Sequence, residues 1–241
     1  MTHPSLTGLR VALSGGTSGL GLALVRALAA RGASVAFFAR STDRVAAVAR
    51  DNPGTHGIAS DVSKKDDTHR LAMRILAALS GLDVLVNNAS SLGPVPLAPL
   101  ADTACEDLEV ALATNLVGPF RLTKALLGAL GAAAREGRPA LVINVTSDAA
   151  VTAYPLWGAY GVSKAALSHL SRIWDEELAA HGIRVLAVDP GDMDTPLHAL
   201  AVPDADRATL KRPEEAAREI VALIEEEAVR ARGDTSRPAT A

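Results

Sequence analysis

Short runs of Val, Ile, Leu and Ala alternate along the chain with longer stretches in which apolar residues recur every three or four positions, the period of a helix with one buried face. The short runs predict strands at Leu9–Ser14, Ser34–Ala39, Thr55–Ser60, Leu82–Asn87, Ala140–Thr146 and Ile183–Asp189. The longer stretches predict helices at Gly19–Arg31, Thr42–Arg50, Lys64–Ser80, Ala104–Ala134, Trp157–Ala180 and Pro213–Arg230. The last helix opens on Pro213, Glu214 and Glu215, where a missing N–H is harmless and carboxylates meet the positive end of the helix dipole. Strand and helix taking turns in this way indicate repeated βαβ units. The expected fold class is therefore α/β, a doubly wound parallel sheet with helices on both faces. Six strands are expected, or a short seventh, because Glu225–Ala241 offers no apolar run.

Three connections are longer than a simple turn needs: Asn88–Thr103, Ser147–Leu156 and Pro190–Arg212. All follow strands, so in a parallel sheet they share the carboxyl edge, where ligands bind. Composition narrows the picture further. The 241 residues are 49% hydrophobic but only 3% aromatic, which suits helices packed closely on a parallel sheet in one domain spanning 1–241. Residues 190–212 are expected to form a substrate loop, and 233–241 read as a disordered tail. With a net charge of −3 and no run of Lys or Arg, nucleic acid is not an expected partner. Neither a leader-like segment nor a membrane-length apolar stretch occurs, so the cytoplasm is the expected location and no membrane is involved. Cys105 is the single cysteine, and His3, His56, His69, His169, His181 and His198 show no metal-ligand spacing, so no metal is expected.

Between the first strand and the first helix lies Ser14-Gly15-Gly16-Thr17-Ser18-Gly19-Leu20-Gly21. Glycines at 15, 19 and 21 allow a tight turn and close approach of backbone to a pyrophosphate, and the helix behind presents N–H groups and a positive dipole end. Further along come Asn87-Asn88-Ala89-Ser90, Asn115 within a helix, Ser147 thirteen residues before Tyr160, the run Tyr160-Gly161-Val162-Ser163-Lys164, and Pro190-Gly191 followed by Thr195. Together, in this order and over nearly the whole chain, these resemble the short-chain dehydrogenase/reductase family. Two departures are visible: Ser14 stands where the family has Thr, and Ser90 where it has Gly.

The resemblance implies a Rossmann fold that binds a nicotinamide dinucleotide through Gly15, Thr17, Ser18, Gly19, Leu20 and Gly21. It extends the cofactor site to Asp61, Val62, Asn88, Ala89, Pro190, Gly191 and Thr195. Asp61 has a second reading, as the cap of the following helix. The second strand ends in Phe38-Ala39-Arg40-Ser41, with no acid before Asp43. A carboxylate there would hold a ribose 2′-hydroxyl, whereas Arg40, helped by Ser41 or Thr17, suits a 2′-phosphate, so NADP(H) is the expected cofactor.

Reducing a carbonyl leaves charge on oxygen, which the site must protonate. Four residues along a helix return to nearly the same face, so Tyr160 and Lys164 share one pocket. A cation ~5 Å away at an effective dielectric of ~20 contributes about 3 kcal/mol, most of what is needed to bring a phenol toward neutrality. The expectation is therefore an acidified Tyr160. The resemblance adds that Lys164 binds the nicotinamide ribose, that Ser147 hydrogen-bonds the substrate carbonyl, and that Asn115 holds water in a relay with Lys164.

By analogy with family loops, the substrate pocket is bounded by Ser91, Leu92, Pro94, Val95, Asp148, Tyr154, Leu156, Trp157, Met193, Leu197 and His198. These are mainly apolar and include no Arg or Lys, which predicts a small neutral ketone or aldehyde. The alternatives are an alcohol dehydrogenase working oxidatively, since the same residues serve both directions, and a non-catalytic NADP(H)-sensing protein, against which Ser147, Tyr160 and Lys164 all stand. Apolar residues around much of the Trp157–Ala180 helix predict a homodimer or homotetramer.

Overall fold

The structure, a computed structural model, describes residues 6–231 and 233. In chain order it runs β1 (Arg10–Ser14), α1 (Gly19–Ala30), β2 (Ser34–Ala39), α2 (Thr42–Asp51), β3 (Thr55–Ala59), α3 (Thr68–Leu79) and β4 (Val84–Asn87). It continues through α4 (Cys105–Leu112), α5 (Gly118–Arg135), β5 (Leu141–Val145), α6 (Gly158–Leu178), β6 (Arg184–Val188), α7 (Pro196–Ala201) and α8 (Pro213–Ala231). The six strands form one parallel sheet in the order β3-β2-β1-β4-β5-β6. Winding proceeds outward from β1 to β3, then restarts beside β1 with β4. The reversal opens a crevice at the carboxyl ends of β1 and β4.

Alternation along each strand divides the core into two layers. Val11, Leu13, Val35 and Phe37 face α1, α2 and α8, whereas Ala12, Ala36 and Phe38 face α3, α5 and α6. Fully buried on both faces, the central strands read as continuous apolar runs, as parallel strands must. At the amino end of the sheet Asp83, whose side chain is wholly buried, accepts from Arg10 Nη2 at 2.7 Å, Arg138 Nη2 at 2.6 Å and the Arg10 backbone N–H at 2.8 Å. Burial pushes its carboxyl up, but the guanidiniums of Arg138 and Arg10 more than offset this and hold it below the usual carboxylate range.

The predicted strands and helices are all present, with ends shifted by a residue or a few, but two stretches depart from expectation. The helix expected over Ala104–Ala134 is broken into α4 and α5 by a π-helical turn at Ala113–Val117. Pro119 follows at once; it lacks an N–H and its ring crowds the carbonyl one turn back, so a regular α-helix cannot pass. The loop Pro190–Arg212 also holds α7, opened by Thr195, whose hydroxyl accepts from His198 N–H at 3.2 Å, with Pro196 next. Of the predicted tail, residues beyond Gly233 lie outside the described residues. Val162 and Ile173 on α6 remain exposed, and among the described residues no helix is long and apolar enough to cross a membrane.

Candidate active site

A cleft of about 710 Å³ runs along the carboxyl edge of the sheet, lined by residues that follow all six strands. At one end lies the glycine turn. A Cβ on Gly21 would stand 2.1 Å from the Gly15 carbonyl oxygen, and one on Gly15, at φ +72°, would stand 2.8 Å from Asn88 Nδ2. The turn is thus closed so tightly that only hydrogen fits at those two positions. Ser14 fixes it from below: its hydroxyl accepts from Asn88 N–H at 2.8 Å and Ala89 N–H at 2.9 Å, so the exchange for Thr keeps the group that matters. No side chain caps the start of α1, and its first turn carries no acid. Gly15, Gly19 and Gly21 line the cleft with no side chain of their own, so backbone N–H groups at the start of α1 can be approached there, an arrangement that fits the pyrophosphate of a dinucleotide.

Arg40 and Ser41 line the same end, together with Arg44. Ser41 caps α2 through the Arg44 N–H, which sets Arg44 on the first helical turn. Both guanidiniums belong to exposed residues, and no acid joins them in the lining after β2. Asp61 lines the cleft after β3, its Oδ1 accepting from the Ser63 hydroxyl and N–H at 2.7 and 3.0 Å, which is a local turn rather than a helix cap. Thr195 packs over the turn from the opposite side, its Cγ2 being 3.1 Å from where a Gly19 Cβ would stand.

Midway along the cleft, α6 sets Tyr160 and Lys164 side by side, both buried, with Lys164 Nζ 5.5 Å from the centroid of the Tyr160 ring. Lys164 Nζ donates to the Val145 carbonyl at 2.7 Å. Burial pulls the ammonium down to about 8. The expectation of an acidified phenol is corrected here: Tyr160 is pushed up to about 12. Burial is the largest cause, the carboxylates of Asp189 and Asp148 add to it, and the neighbouring hydroxyls of Ser147 and Ser90 offset it only in part. The ammonium lies over the ring face and gives its hydrogen bond to a carbonyl, so it does not outweigh the lost hydration.

Asn115 sits behind the cleft wall. It is fully buried in the π-helical turn and is not among the residues lining the cleft. Its Oδ1 accepts from Ser91 N–H at 2.8 Å, and its Nδ2 donates to the Ser91 carbonyl and to Ser163 Oγ, each at 2.8 Å. Its amide therefore fastens the loop after β4 to α6. Ser90, in the place of Gly, has no positive φ and donates to Asn115 Oδ1 at 3.3 Å.

The cleft brings together every other predicted cofactor residue, namely Thr17, Ser18, Leu20, Val62, Ala89, Pro190 and Gly191, and of the predicted substrate residues Ser91, Leu92, Tyr154, Trp157, Met193, Leu197 and His198. Pro94 and Leu156 are not in the lining: Gly93 and Val95 on either side of Pro94 are, while Leu156, at φ +74°, is exposed. Sequence reasoning missed Arg44, Asp192 and the wall formed by Leu200, Ala201 and Val202. The Thr195-Pro196 pair signals the helix carrying Leu200 and Ala201, and the Ser41 cap signals the placement of Arg44. Among the described residues no group of His, Cys, Asp and Glu could hold a metal ion.

Comparison with known proteins agrees with this geometry. Residues 10–206 match the family described as short chain dehydrogenase. Glucose 1-dehydrogenase of Gluconobacter oxydans is 33% identical over 229 residues, covering 90% of this chain and 84% of that protein. A 3-ketoacyl-(acyl-carrier-protein) reductase from Brucella melitensis, solved with NADH, superposes at a TM-score of 0.84 with 25% identity, covering 91% of each chain. A short chain dehydrogenase from Burkholderia cenocepacia, solved with NADP, gives 0.78 with 26% identity and 92% coverage of each.

Proposed function

The chain belongs to the short-chain dehydrogenase family, and we propose that within it this protein is an NADPH-dependent reductase of a small, mainly apolar ketone or aldehyde, with Tyr160 as the acid. The observation that carries the reading is the burial of Tyr160 and Lys164 in one cleft with the glycine turn. The turn and the open start of α1 would hold the pyrophosphate, with Asp61, Val62, Asn88 and Ala89 along the adenosine and nicotinamide flanks. Arg40 and Arg44 favour a 2′-phosphate over a bare ribose, because guanidiniums stabilise its charge and no acid lines the cleft between Phe38 and Arg44. When bound, the cofactor supplies the hydride.

The protein's own part is the proton. A phenol at about 12 is fully protonated at neutral pH, so Tyr160 begins each turnover ready to give its Oη hydrogen to the substrate oxygen. The phenolate left behind lies beside the Lys164 ammonium, and Ser147 sits against the same hydroxyl. The protonated phenol is the form from which reduction starts, and alcohol oxidation starts from the phenolate. A sensing role has no need of two buried groups with displaced proton affinities.

The test is a spectrophotometric screen with NADPH against ketones, aldehydes and quinones, run beside Tyr160→Phe. Turnover is expected to fall roughly 10²–10⁴-fold in the variant while NADPH affinity is kept. Turnover that survives Tyr160→Phe removes the proposed acid, and equal efficiency with NADH removes the cofactor preference.

A further inference from the structure

Beyond Tyr160, at the substrate end of the cleft, the Asp148 carboxylate gathers two hydroxyls. Ser147 Oγ donates to Asp148 Oδ1 at 3.0 Å, and the Tyr154 hydroxyl donates to Oδ2 at 2.6 Å. Ser147 Oγ also accepts from the Ala149 N–H at 3.2 Å. A serine has a single hydrogen, and an ionised carboxylate accepts it more strongly than a neutral phenol does, so Asp148 takes it. Both hydroxyls flanking Asp148 therefore turn hydrogens toward the carboxylate and lone pairs toward their surroundings. Those same donors hold the Asp148 carboxyl below the usual range, so it is charged at neutral pH.

The rest of this end has the same polarity. Asp189 and Asp192 line it with the imidazole of His198, whereas the cleft's Arg and Lys residues are Arg40 and Arg44 at the opposite end and Lys164, whose ammonium is engaged by the Val145 carbonyl. A substrate oxygen within reach of the Tyr160 hydroxyl lies beside Ser147. Asp148, hydrogen-bonded to Ser147 and in the same lining, is the next charged group along that wall.

We propose that Asp148 is a specificity-determining residue, selecting carbonyl compounds that carry a hydrogen-bond donor, a hydroxyl or an ammonium, on the carbon next to the reacting carbonyl, and rejecting those with a carboxylate there. The inference rests on the reductase reading. A donor at that position gains a charge-assisted hydrogen bond from an acceptor already fixed by two partners, while a carboxylate meets like charge with no free Lys or Arg to receive it.

The experiment compares acetophenone, phenacyl alcohol, phenacylamine and phenylglyoxylate as substrates with NADPH, for the wild type, Asp148→Asn and Tyr154→Phe. In the wild type kcat/KM is expected to be about tenfold or more higher for phenacyl alcohol and phenacylamine than for acetophenone, and lower for phenylglyoxylate. Asp148→Asn, which keeps the size of the side chain, is expected to erase most of that preference without altering NADPH affinity, and Tyr154→Phe to weaken it. A preference that survives Asp148→Asn, or none in the wild type, overturns the proposal. If no compound turns over, the reductase reading fails, and calorimetry on the NADP⁺-saturated protein still decides the role of Asp148. Phenylethanediol binding about tenfold more tightly than phenylethanol, with the difference lost in Asp148→Asn, supports it; equal binding overturns it.

Discussion

Asp83 and Lys164 are buried charged residues at opposite ends of one sheet, Asp83 just before the amino end of β4 and Lys164, on α6, against the carboxyl end of β5. Asp83 is met by two guanidiniums and a backbone N–H, and its charged form is favoured by the fold. Lys164 has one carbonyl, and its charged form is resisted, down to about 8 from an ordinary 10.5. One end of the sheet uses buried charge to hold strands and loops together. The other keeps a charge the fold would rather lose, at a cost of about 3 kcal/mol below pH 8 by the size of that displacement. A group retained against stability, in a cleft and beside Tyr160, is what a chemical role looks like.

The contrast breaks most visibly at the amino end. Asp83→Asn removes the anion between Arg10 and Arg138 and is expected to lower unfolding free energy by about 3 kcal/mol in urea titration, leaving NADPH affinity and turnover in place. Because the folded Asp83 carboxyl is more acidic than the unfolded one, its contribution is whole above the unfolded value of 3.8 and is lost as pH falls toward the folded value. Melting curves in acid should therefore converge for wild type and Asp83→Asn. A constant gap would mean that the carboxylate charge is not what Asp83 contributes.

At the carboxyl end, charge placed at the lip should matter for binding alone. Arg44→Ala is expected to weaken NADPH binding about tenfold, with NADH binding and melting temperature unchanged. Equal loss for both cofactors would place Arg44 away from the 2′-phosphate.

What sequence alone revealed follows the same division. The glycine turn and the Tyr160–Lys164 pair were legible because backbone geometry dictates their spacing: Gly21 must pass the Gly15 carbonyl, and four helical residues return to one face. The strands other than β3 were legible because each is a short, mostly apolar run, whereas Thr55–Ala59 buries only Ile58 and was legible from its place between two helical stretches. Asp83 was not, since its partners Arg10 and Arg138 are remote in sequence and meet only once β1, β4 and β5 are paired. The proton affinity of Tyr160 was misjudged for a related reason: spacing predicts a neighbour but not how much water burial removes. Pro119 did signal the break at Asn115, yet the apolar period across it was continuous enough to mask the π-helical turn.

Lys164→Met tests the central claim most directly, with unfolding and NADPH-dependent turnover measured on one preparation. The folded lysine binds its proton less tightly than the unfolded one, so its penalty is full below about pH 8 and fades as pH rises toward 10.5. The account predicts that Lys164→Met is more stable than the wild type at neutral pH, with the advantage shrinking in alkali, and that turnover falls at least about a hundredfold. A less stable variant, or one that still turns over, would contradict it.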